Sequence, residues 1–429
     1  MADNMILGQD YIVSTDSQKT QLNNNVFICG GSGSGKTMSI LEPRLLQTKE
    51  SSLIVTLSKK RMAKKYAPYF LVNGYKVLSL NFADPEQSNV SFDPLAYVKT
   101  MLDASYLAKS IVGLNPKKEH NITADPYWDD AATSLLLAEI GYVMVKKPDA
   151  TFADVIKLHN SMKIRNSASD GVIRTTLDGH FDVLEDTHPD HFAVNAWRSF
   201  KQLPIKTASC VYSALNVVVS DVFTPPILDS MSSCPNVDFR DVADKKTVLF
   251  ITTSAVNPSL NCYVNFFYAQ AIKQLFEYAE DLPSGALPIP VHMLCDDFAC
   301  GAPIKDFPEY ISIFREKGIS ATILVQSESQ LVSMYGEHKA TTIIDNCDTY
   351  VYMGGMDLRT ARNISARLNV PLEDVLYMPI GDIAIIRRGT KPRITQRYNI
   401  MEDTLYRKVT KAYEKLIKQP ETTGLEKAG

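Results

Sequence analysis

The sequence predicts an α/β fold, in which a mostly parallel central sheet is covered by helices and interrupted by an all-α insertion. Short apolar runs recur along the chain, and each ends in small or polar residues. Such near-continuous apolar runs are typical of parallel strands, which are buried on both faces of their sheet. Between residues 93 and 239 the apolar residues recur instead at spacings of three and four, which favours helices.

The elements follow in order from these patterns. Two later runs, 382–388 and 393–398, flank the sequence GTKP and predict a hairpin at the sheet edge. The polar segment 171–191 predicts a loop or a helix junction. Residues from 401 onward predict one amphipathic helix with a frayed tail behind it. The buried strands are expected at 25–29, 53–57, 76–80, 247–252, 291–295, 320–325 and 349–353.

Composition excludes several classes of protein. Hydrophobic residues make up 45% and charged residues 22% of the 429 residues, which excludes wholesale disorder, collagen-like repeats and coiled coils. The net charge is -3, from 45 Lys+Arg against 48 Asp+Glu, so any DNA-binding site must be local. The 7 cysteines form no CxxC pair and show no zinc-ligand spacing, which fits a reducing cytosol.

No segment predicts a membrane span. The N-terminus lacks the basic start and apolar core of a secretion signal. The richest apolar run, residues 135–145, contains Glu139 and is shorter than the roughly 20 residues that a span requires. We therefore expect a cytoplasmic chain that does not cross a membrane by itself.

Residues 26–40 read VFICGGSGSGKTMSI, which is a buried strand, a glycine-rich loop and the start of a helix. The loop matches GxxxxGK(S/T) completely and in the required context, which disfavours the alternative of a plain glycine-rich turn. Backbone N–H groups would hold the β-phosphate of ATP, Lys36 would reach the β- and γ-phosphates, and Thr37 would ligate Mg²⁺. The expected nucleotide-binding residues are Gly30, Gly31, Ser32, Gly33, Ser34, Gly35, Lys36, Thr37 and Met38.

An acidic pair follows a second apolar strand in the sequence VHMLCDDFA. Ligands of open α/β sheets sit at the carboxyl ends of the strands, where this sequence places Asp296 and Asp297. We expect Asp296 to hold Mg²⁺ through water and Asp297 to orient or activate the attacking water. Two solvated turn carboxylates are the alternative.

Two further residues are candidates for catalysis. Gln326 ends the strand of ISATILVQ, where its amide would touch both the γ-phosphate and the attacking water; a strand-end hydrogen-bonding residue is the alternative. Arg315 precedes that strand in FREKG, where it would act as an arginine finger on a neighbouring subunit's nucleotide. An ordinary surface arginine is the equally weighted alternative.

With these motifs in place, nearly the whole chain resembles the coupling proteins of type IV secretion systems, which are ATPases of conjugative DNA transfer. The stretches that carry the resemblance are LNNNVFICGGSGSGKTMSILEPRLLQ, GYKVLSLNFADPEQSNVSFDPLAY, DPYWDDAATSLL, DDFACGAPIKDFPEYISIFREKGISATILVQSESQLVSMYG and IIDNCDTYVYMGGMDLRTARNIS.

The resemblance implies a RecA-like P-loop NTPase domain with an inserted all-α domain. With the bounds that the residue patterns give, the first covers residues 1–92 and 240–400, the all-α domain covers 93–239, and a C-terminal helix and tail follow at 401–429. The resemblance implies a ring of six subunits that hydrolyses ATP between subunits, and it places the strand of Gln326 between the P-loop strand and the acidic-pair strand. It also implies the partners, which are single-stranded DNA with its relaxase, or a protein substrate, and the transmembrane secretion channel.

The chain departs from the family pattern in three places. Family members usually carry N-terminal transmembrane helices, so we expect this chain to reach the membrane peripherally, through an anchoring partner; a soluble relative of the family is the alternative. The family's acidic pair is normally Asp-Glu, and the shorter Asp297 predicts slow hydrolysis. The family's Asp-Pro-Lys-Gly-Glu after the second strand is replaced by Leu57-Ser58-Lys59-Lys60-Arg61, and this replacement creates the basic run KKRMAKK at residues 59–65. This run would meet DNA phosphates along a pore, or form a solvated helix face, which is the favoured alternative.

The sequence therefore supports two hypotheses of different class. The first is an ATP-driven DNA translocase that feeds a secretion channel. The second is a nucleotide-binding docking protein that recruits relaxase or effector and hydrolyses ATP weakly. A small-molecule kinase built on the same phosphate loop is disfavoured by the long matches downstream.

Overall fold

The computed structural model describes residues 3–57, 60–114, 126–165, 173–253, 259–298 and 300–418. Its centre is a nine-stranded sheet in the order β13-β12-β11-β3-β10-β9-β4-β8-β5. The strands are β1 Asn4–Gly8, β2 Tyr11–Ser14, β3 Val26–Cys29, β4 Ser52–Leu57, β5 Lys76–Asn81, β6 Ile164–Arg165, β7 Arg174–Thr175, β8 Thr247–Thr252, β9 Val291–Cys295, β10 Ile319–Val325, β11 Thr349–Tyr352, β12 Asp382–Arg387 and β13 Arg393–Gln396.

The seven strands from β11 to β5 in this order run parallel to one another. The pair β12 and β13 adds two antiparallel strands at one edge, as the hairpin prediction expected. Strand β10 lies between β3 and β9, which is the arrangement that the family resemblance implied. The predicted α/β fold class with a mostly parallel sheet is confirmed.

Helices cover both faces of the sheet. A π-helical turn, Thr37–Leu41, leads directly into the second helix. The helices are α1 Ser17–Thr20, α2 Glu42–Gln47, α3 Lys60–Val72, α4 Met101–Val112, α5 Pro126–Lys146, α6 Phe152–Ser161, α7 Asp178–Thr187, α8 Phe192–Lys201, α9 Ile205–Val222, α10 Pro225–Ser230, α11 Phe239–Asp244, α12 Ser259–Asp281, α13 Phe307–Ile311, α14 Phe314–Lys317, α15 Glu328–Tyr335, α16 Glu337–Asp345, α17 Leu358–Leu368, α18 Leu372–Leu376 and α19 Thr404–Lys418.

The sheet separates two apolar cores, one on each face, because successive side chains of a strand point to opposite faces. In β3, Phe27 and Cys29 pack with α12 and the helices that precede it. Val26 and Ile28 point to the other face and pack with α2, α3 and α19. All four side chains are buried, which explains why the run is apolar throughout.

Helices dominate the segment between residues 93 and 239, with the short pair β6 and β7 inserted between α6 and α7. Their buried side chains belong to the same core as α12. The proposed domain boundaries at residues 93 and 239 stay a prediction.

Two elements differ from the sequence expectations. The segment 171–191 was expected as a loop or junction, but α7 forms within it at Asp178–Thr187, because Phe181 and Leu184 lie one helical turn apart and are both buried. Residues 171 and 172 lie outside the described part of the chain. The N-terminal hairpin of β1 and β2 was not expected; it packs on the edge strands, where Gly8 lies against Thr395 and Ile383.

The C-terminal helix was expected from residue 401, and α19 begins at Thr404 after a short 3₁₀ turn, Ile400–Glu402. The tail beyond residue 418 lies outside the described part of the chain. None of the helices that the structure describes combines the length and apolar character needed to span a bilayer.

Candidate nucleotide-binding site

The glycine-rich loop is fixed between two neighbouring elements. The Gly30 N–H donates to the carbonyl of Val325 at 3.2 Å, and the Gly31 N–H donates to the carbonyl of Gly354 at 2.8 Å. A Cβ atom on Gly30 would lie 2.9 Å from that of Met353, so only glycine fits there. The loop is therefore tied on one side to β10, the strand that precedes Gln326, and on the other side to the segment after β11.

Lys36 is folded back onto this loop. Its half-buried Nζ donates to the carbonyl of Gly31 at 3.2 Å and also to that of Gly30. Burial lowers the pKa of the Lys36 ammonium, and the carboxylates of Asp297 and Asp296 oppose this by favouring its charge. The charged lysine and the acidic pair therefore share one electrostatic site.

The loop offers an anion cradle at a helix start. Gly33 and Gly35 have φ of 77° and 94°, a region that favours glycine, and this lets the loop curl over its own amides. Helix amides begin directly after Lys36, where the first N–H groups lack intrahelical partners and favour phosphate. Ser34 Oγ is buried without a hydrogen-bond partner among the described residues. These donors fit a polyphosphate.

Asp296 and Asp297 follow β9, and Gln326 follows the neighbouring strand β10, so all three reach the same edge of the sheet. They line one cavity of about 180 Å³. Asp297 has φ of 52°, in the left-handed region, which aspartate tolerates better than most residues. The structure therefore brings together Lys36, the acidic pair and Gln326 at the carboxyl edge of the sheet.

The donor set fits a magnesium ion bound with a nucleotide. Within the described ranges no cluster of three or more His, Cys, Asp or Glu side chains is suited to a metal. Mg²⁺ is usually held by one or two protein oxygens together with phosphates and waters. The Thr37 hydroxyl and the Asp296 carboxylate are the two protein groups that would hold it.

Arg315 lies apart from this group. It precedes β10, at the amino edge of the sheet, while the P-loop lies at the carboxyl edge. Its exposed guanidinium donates to the carbonyl of Gln21 at 3.1 Å and to that of Ser17 at 3.3 Å. The structure does not bring Arg315 to the P-loop of its own chain, and its role toward a neighbouring subunit stays a prediction.

Sequence reasoning missed Arg397, which lies on the P-loop. Its Nη1 donates to the Ser34 carbonyl at 3.0 Å, and a Cβ atom on Gly35 would lie 2.8 Å from the same nitrogen. The predicted hairpin could have indicated that Arg397 lies near the P-loop. Because β12 and β13 each reverse direction, β13 runs parallel to β11 and ends at the P-loop edge, so Arg397 had to emerge there.

A second missed residue is Glu328, two positions after Gln326. Its carboxylate is buried and accepts a hydrogen bond from the Tyr350 hydroxyl at 3.0 Å and another from Asn363 Nδ2. The Glu328 N–H donates to Thr360 Oγ1 at 3.0 Å. These bonds fix the loop that carries Gln326 to β11 and α17, and no sequence pattern marks them.

One lysine of the basic run after β4 makes contacts within the protein. Lys65 Nζ lies 2.9 Å from the Glu42 carboxylate and 3.8 Å from the centre of the Tyr406 ring. Arg61 and Lys64 are exposed, whereas Ser58 and Lys59 lie outside the described residues. Contact between this run and DNA stays a prediction.

The P-loop, the acidic pair and the order of the sheet strands define a RecA-like P-loop NTPase. The family model described as "Type IV secretory system Conjugative DNA transfer" matches residues 2–369, and the chain belongs to this family.

Two curated relatives are type IV secretion system-coupling proteins named VirD4. The chain is 24% identical to the one from Bartonella quintana (strain Toulouse) over 349 residues, which cover 79% of the chain and 51% of that protein. The VirD4 of Bartonella henselae is also 24% identical, over 350 residues, with the same coverage. The chain thus spans about half the length of the curated relatives that it matches.

Solved structures show the same fold. The plasmid coupling protein TrwB, in complex with the ATP analogue ADPNP, superposes with a TM-score of 0.64 at 16% identity, covering 87% of this chain and 84% of that one. TrwB with ADP and Mg²⁺ gives a TM-score of 0.60 at 14% identity, with 87% and 85% coverage. VirB4 of Thermoanaerobacter pseudethanolicus gives 0.58 at 12% identity, with 94% and 98% coverage.

Proposed function

We propose that this chain is the ATP-hydrolysing motor of a conjugative transfer system. It would move single-stranded DNA with its bound relaxase, or a protein substrate, toward a type IV secretion channel. It would act as a homo-hexamer in the cytoplasm, held at the membrane by an anchoring partner. The observation that carries the proposal is the convergence of a complete P-loop, an acidic pair and Gln326 at one edge of the sheet.

Each residue of the site would have a separate role in ATP hydrolysis. Lys36 would leave the loop carbonyls and neutralise the β- and γ-phosphates of ATP. Asp297 would accept a proton from the attacking water or orient it, and Gln326 would touch both that water and the γ-phosphate. Mg²⁺ supplies charge neutralisation at the phosphates when it is bound at Thr37 and Asp296.

The connections of the loop that carries Gln326 and Glu328 support a motor rather than a simple hydrolase. Gln326 is followed by Glu328, which is bonded to Tyr350 of β11, and the segment after β11 holds the P-loop through the Gly354 carbonyl. A change at the γ-phosphate would therefore be transmitted from Gln326 to β11 and α17. Loop closure around a γ-phosphate is a known source of such motion.

Proteins that are similar to this chain also support the proposal. TrwB has been solved with ADPNP and with ADP and Mg²⁺, which supports nucleotide and magnesium binding by this fold. The VirD4 proteins are named as coupling proteins of type IV secretion. We propose that the site residues named above act in this chain and that the chain takes part in the whole transfer activity.

The test is ATP turnover by the purified chain with and without single-stranded DNA. We expect turnover that DNA stimulates, and we expect Lys36→Ala to abolish both this turnover and DNA transfer in cells. Lys391→Ala, an exposed lysine in the turn between β12 and β13, is the matched control and should keep wild-type turnover. Full activity of Lys36→Ala would disprove the motor.

A docking protein that hydrolyses ATP weakly is the second candidate, favoured by the short side chain of Asp297. It predicts nucleotide binding with little turnover and no stimulation by DNA. If the distance from the carboxylate to water limits hydrolysis, Asp297→Glu should raise turnover. Unchanged or lower turnover of Asp297→Glu would count against the short-carboxylate explanation.

A further inference from the structure

A second cavity opens where the P-loop helix begins. It measures about 330 Å³ and lies between the π-helical turn, α3 and α19. Its walls share no residue with the cavity of the acidic pair. Its lining includes Thr37, Met38, Arg61, Met62, Tyr406, Thr410, Tyr413 and Ile417.

The cavity lies next to the end of the P-loop where the nucleoside of a bound nucleotide is expected. In a P-loop the γ-phosphate faces the lysine and the acidic pair, and the amides at the helix start face the phosphates nearer the nucleoside. Thr37 and Met38 are at that end of the P-loop and also form the wall of the cavity. A nucleoside that continues from this end would therefore reach the cavity.

The lining matches a base and a ribose. Small-molecule pockets are mostly apolar, with a few polar groups that fix orientation, and roughly 300–1,000 Å³ in volume. Met38, Met62 and Ile417 supply apolar surface here, and Arg61 brings a cation to the wall. Thr410 lines the same cavity, and its buried Oγ1 has no hydrogen-bond partner among the described residues.

Two tyrosines of α19 line the cavity, and only one is suited to stack on a base. Tyr406 is buried, with Lys65 lying over its ring at 3.8 Å. The charge of Lys65 is in turn neutralised by Glu42 at 2.9 Å. Tyr413 is half-buried and lines the cavity from the same helix, two turns further on.

We propose that this cavity binds the base and ribose of the nucleotide whose phosphates the P-loop holds. The Tyr413 ring stacks on the base, the Thr410 hydroxyl bonds to it, and Arg61 faces the ribose. This inference rests on the proposed nucleotide-binding function and adds a specificity site from the C-terminal helix. It also gives the basic run a role, since Lys65 fixes α19 and Arg61 faces the ligand.

The test compares two ligands by titration calorimetry, Mg-ATP and Mg-tripolyphosphate, which lacks the nucleoside. Wild type should bind ATP more tightly than tripolyphosphate. Tyr413→Ala should weaken ATP binding roughly tenfold, as expected for the loss of one stacking ring, and leave tripolyphosphate binding unchanged. Tyr413→Phe keeps the ring and should bind both ligands as wild type does. Tyr278→Ala, a tyrosine on α12 outside this cavity, is the control.

The contrary outcomes separate this inference from the proposed function. Equal binding of ATP and tripolyphosphate by wild type, or no effect of Tyr413→Ala on ATP, would overturn the base site and leave the phosphate site standing. An equal loss of both ligands would show a structural role for Tyr413 and would also overturn the inference. Failure of wild type to bind either ligand would overturn both proposals.

A second measurement uses the wild-type chain alone. Photolabelling with 8-azido-ATP, competed by unlabelled ATP, should place adducts in peptides covering 61–65 or 406–417. Competed adducts confined to other peptides would contradict the assignment even if Tyr413 variants failed to fold.

Discussion

At the scale of single residues, position 297 needs a carboxylate for the proposed chemistry and a residue that tolerates a left-handed backbone. Its φ of 52° lies in the left-handed region, where asparagine and aspartate are the most readily tolerated non-glycine residues. The same turn delivers the carboxylate to the cavity that Gln326 lines. A substitution that removes the charge but tolerates the backbone conformation therefore isolates the chemistry.

We predict that Asp297→Asn lowers ATP turnover by on the order of 10²–10⁴, the range typical of a lost general base, with little change in melting temperature. Turnover and thermal unfolding are measured on the same preparation. Asp306→Asn is the matched control, because Asp306 has φ of 56° and lies outside the site. Wild-type turnover in Asp297→Asn would remove Asp297 from the mechanism.

Arg397 leads to a second prediction at this scale. Its guanidinium donates to the Ser34 carbonyl and lies against Gly35, so it holds the P-loop from outside. A hydrogen bond from a charged group contributes about 1.5–3 kcal/mol, and we expect Arg397→Ala to weaken Mg-ATP binding by roughly 10- to 100-fold. Calorimetric titration measures this directly.

The control for Arg397 is on the same strand. Arg393 is exposed, and its guanidinium lies over the Tyr11 ring, away from the P-loop. Arg393→Ala should therefore leave ATP binding unchanged. Equal weakening by both variants would mean that the hairpin, and not the Arg397 contact, supports the site.

At the scale of elements, the central sheet was predictable because each buried strand is apolar throughout. The bounds of β8 and β9 match the expected 247–252 and 291–295. The hairpin of β1 and β2 was not predictable, because β1 is buried by α2 and the π-helical turn and also packs on β12 and β13, all of which lie later in the sequence. The same holds within the site. The strand pattern located the acidic pair, but the left-handed backbone of Asp297 and the position of Arg397 at the end of β13 could be seen only in the structure.

Asp93 joins the sheet to the helical segment and gives a prediction about pH. Its carboxylate accepts hydrogen bonds from the N–H groups of Leu95 and Phe152, both at 3.0 Å. Burial raises the pKa of Asp93 to about 6 from its ordinary 3.8, against the opposing effect of these two donors. The folded chain therefore binds more protons than the unfolded chain between these values, and stability from this group is lost as pH rises through about 6.

The interval between the two pKa values corresponds to about 3 kcal/mol. We expect the free energy of unfolding of wild type, relative to Asp93→Asn, to fall by up to about this amount between pH 4 and pH 7. Urea denaturation at several pH values measures the difference, and taking the difference removes the contribution of other carboxyl groups. A difference that is constant with pH, or that rises with it, would contradict the assignment.

At the scale of the whole molecule, the two edges of the sheet carry different groups. The carboxyl edge holds the P-loop, the acidic pair and Gln326, and Met356 is 94% exposed just after the Gly354 that contacts the P-loop. The amino edge carries Arg315. Because Arg315 cannot serve the P-loop of its own chain, a catalytic role for it requires a second subunit whose amino edge faces this site.

Mixed rings test that requirement. Lys36→Ala removes the phosphate lysine and keeps Arg315, while Arg315→Ala does the reverse, so each pure ring lacks one half of every site. In an equal mixture roughly a quarter of the interfaces would pair an intact P-loop with an intact arginine, and an arginine finger contributes on the order of 10³–10⁵ in rate. We therefore expect the mixture to recover about a quarter of wild-type turnover, measured after the two proteins are unfolded and refolded together or co-expressed. Turnover no higher than that of either variant alone would show that Arg315 does not act across subunits, and its bonds to the Ser17 and Gln21 carbonyls would then be its structural purpose.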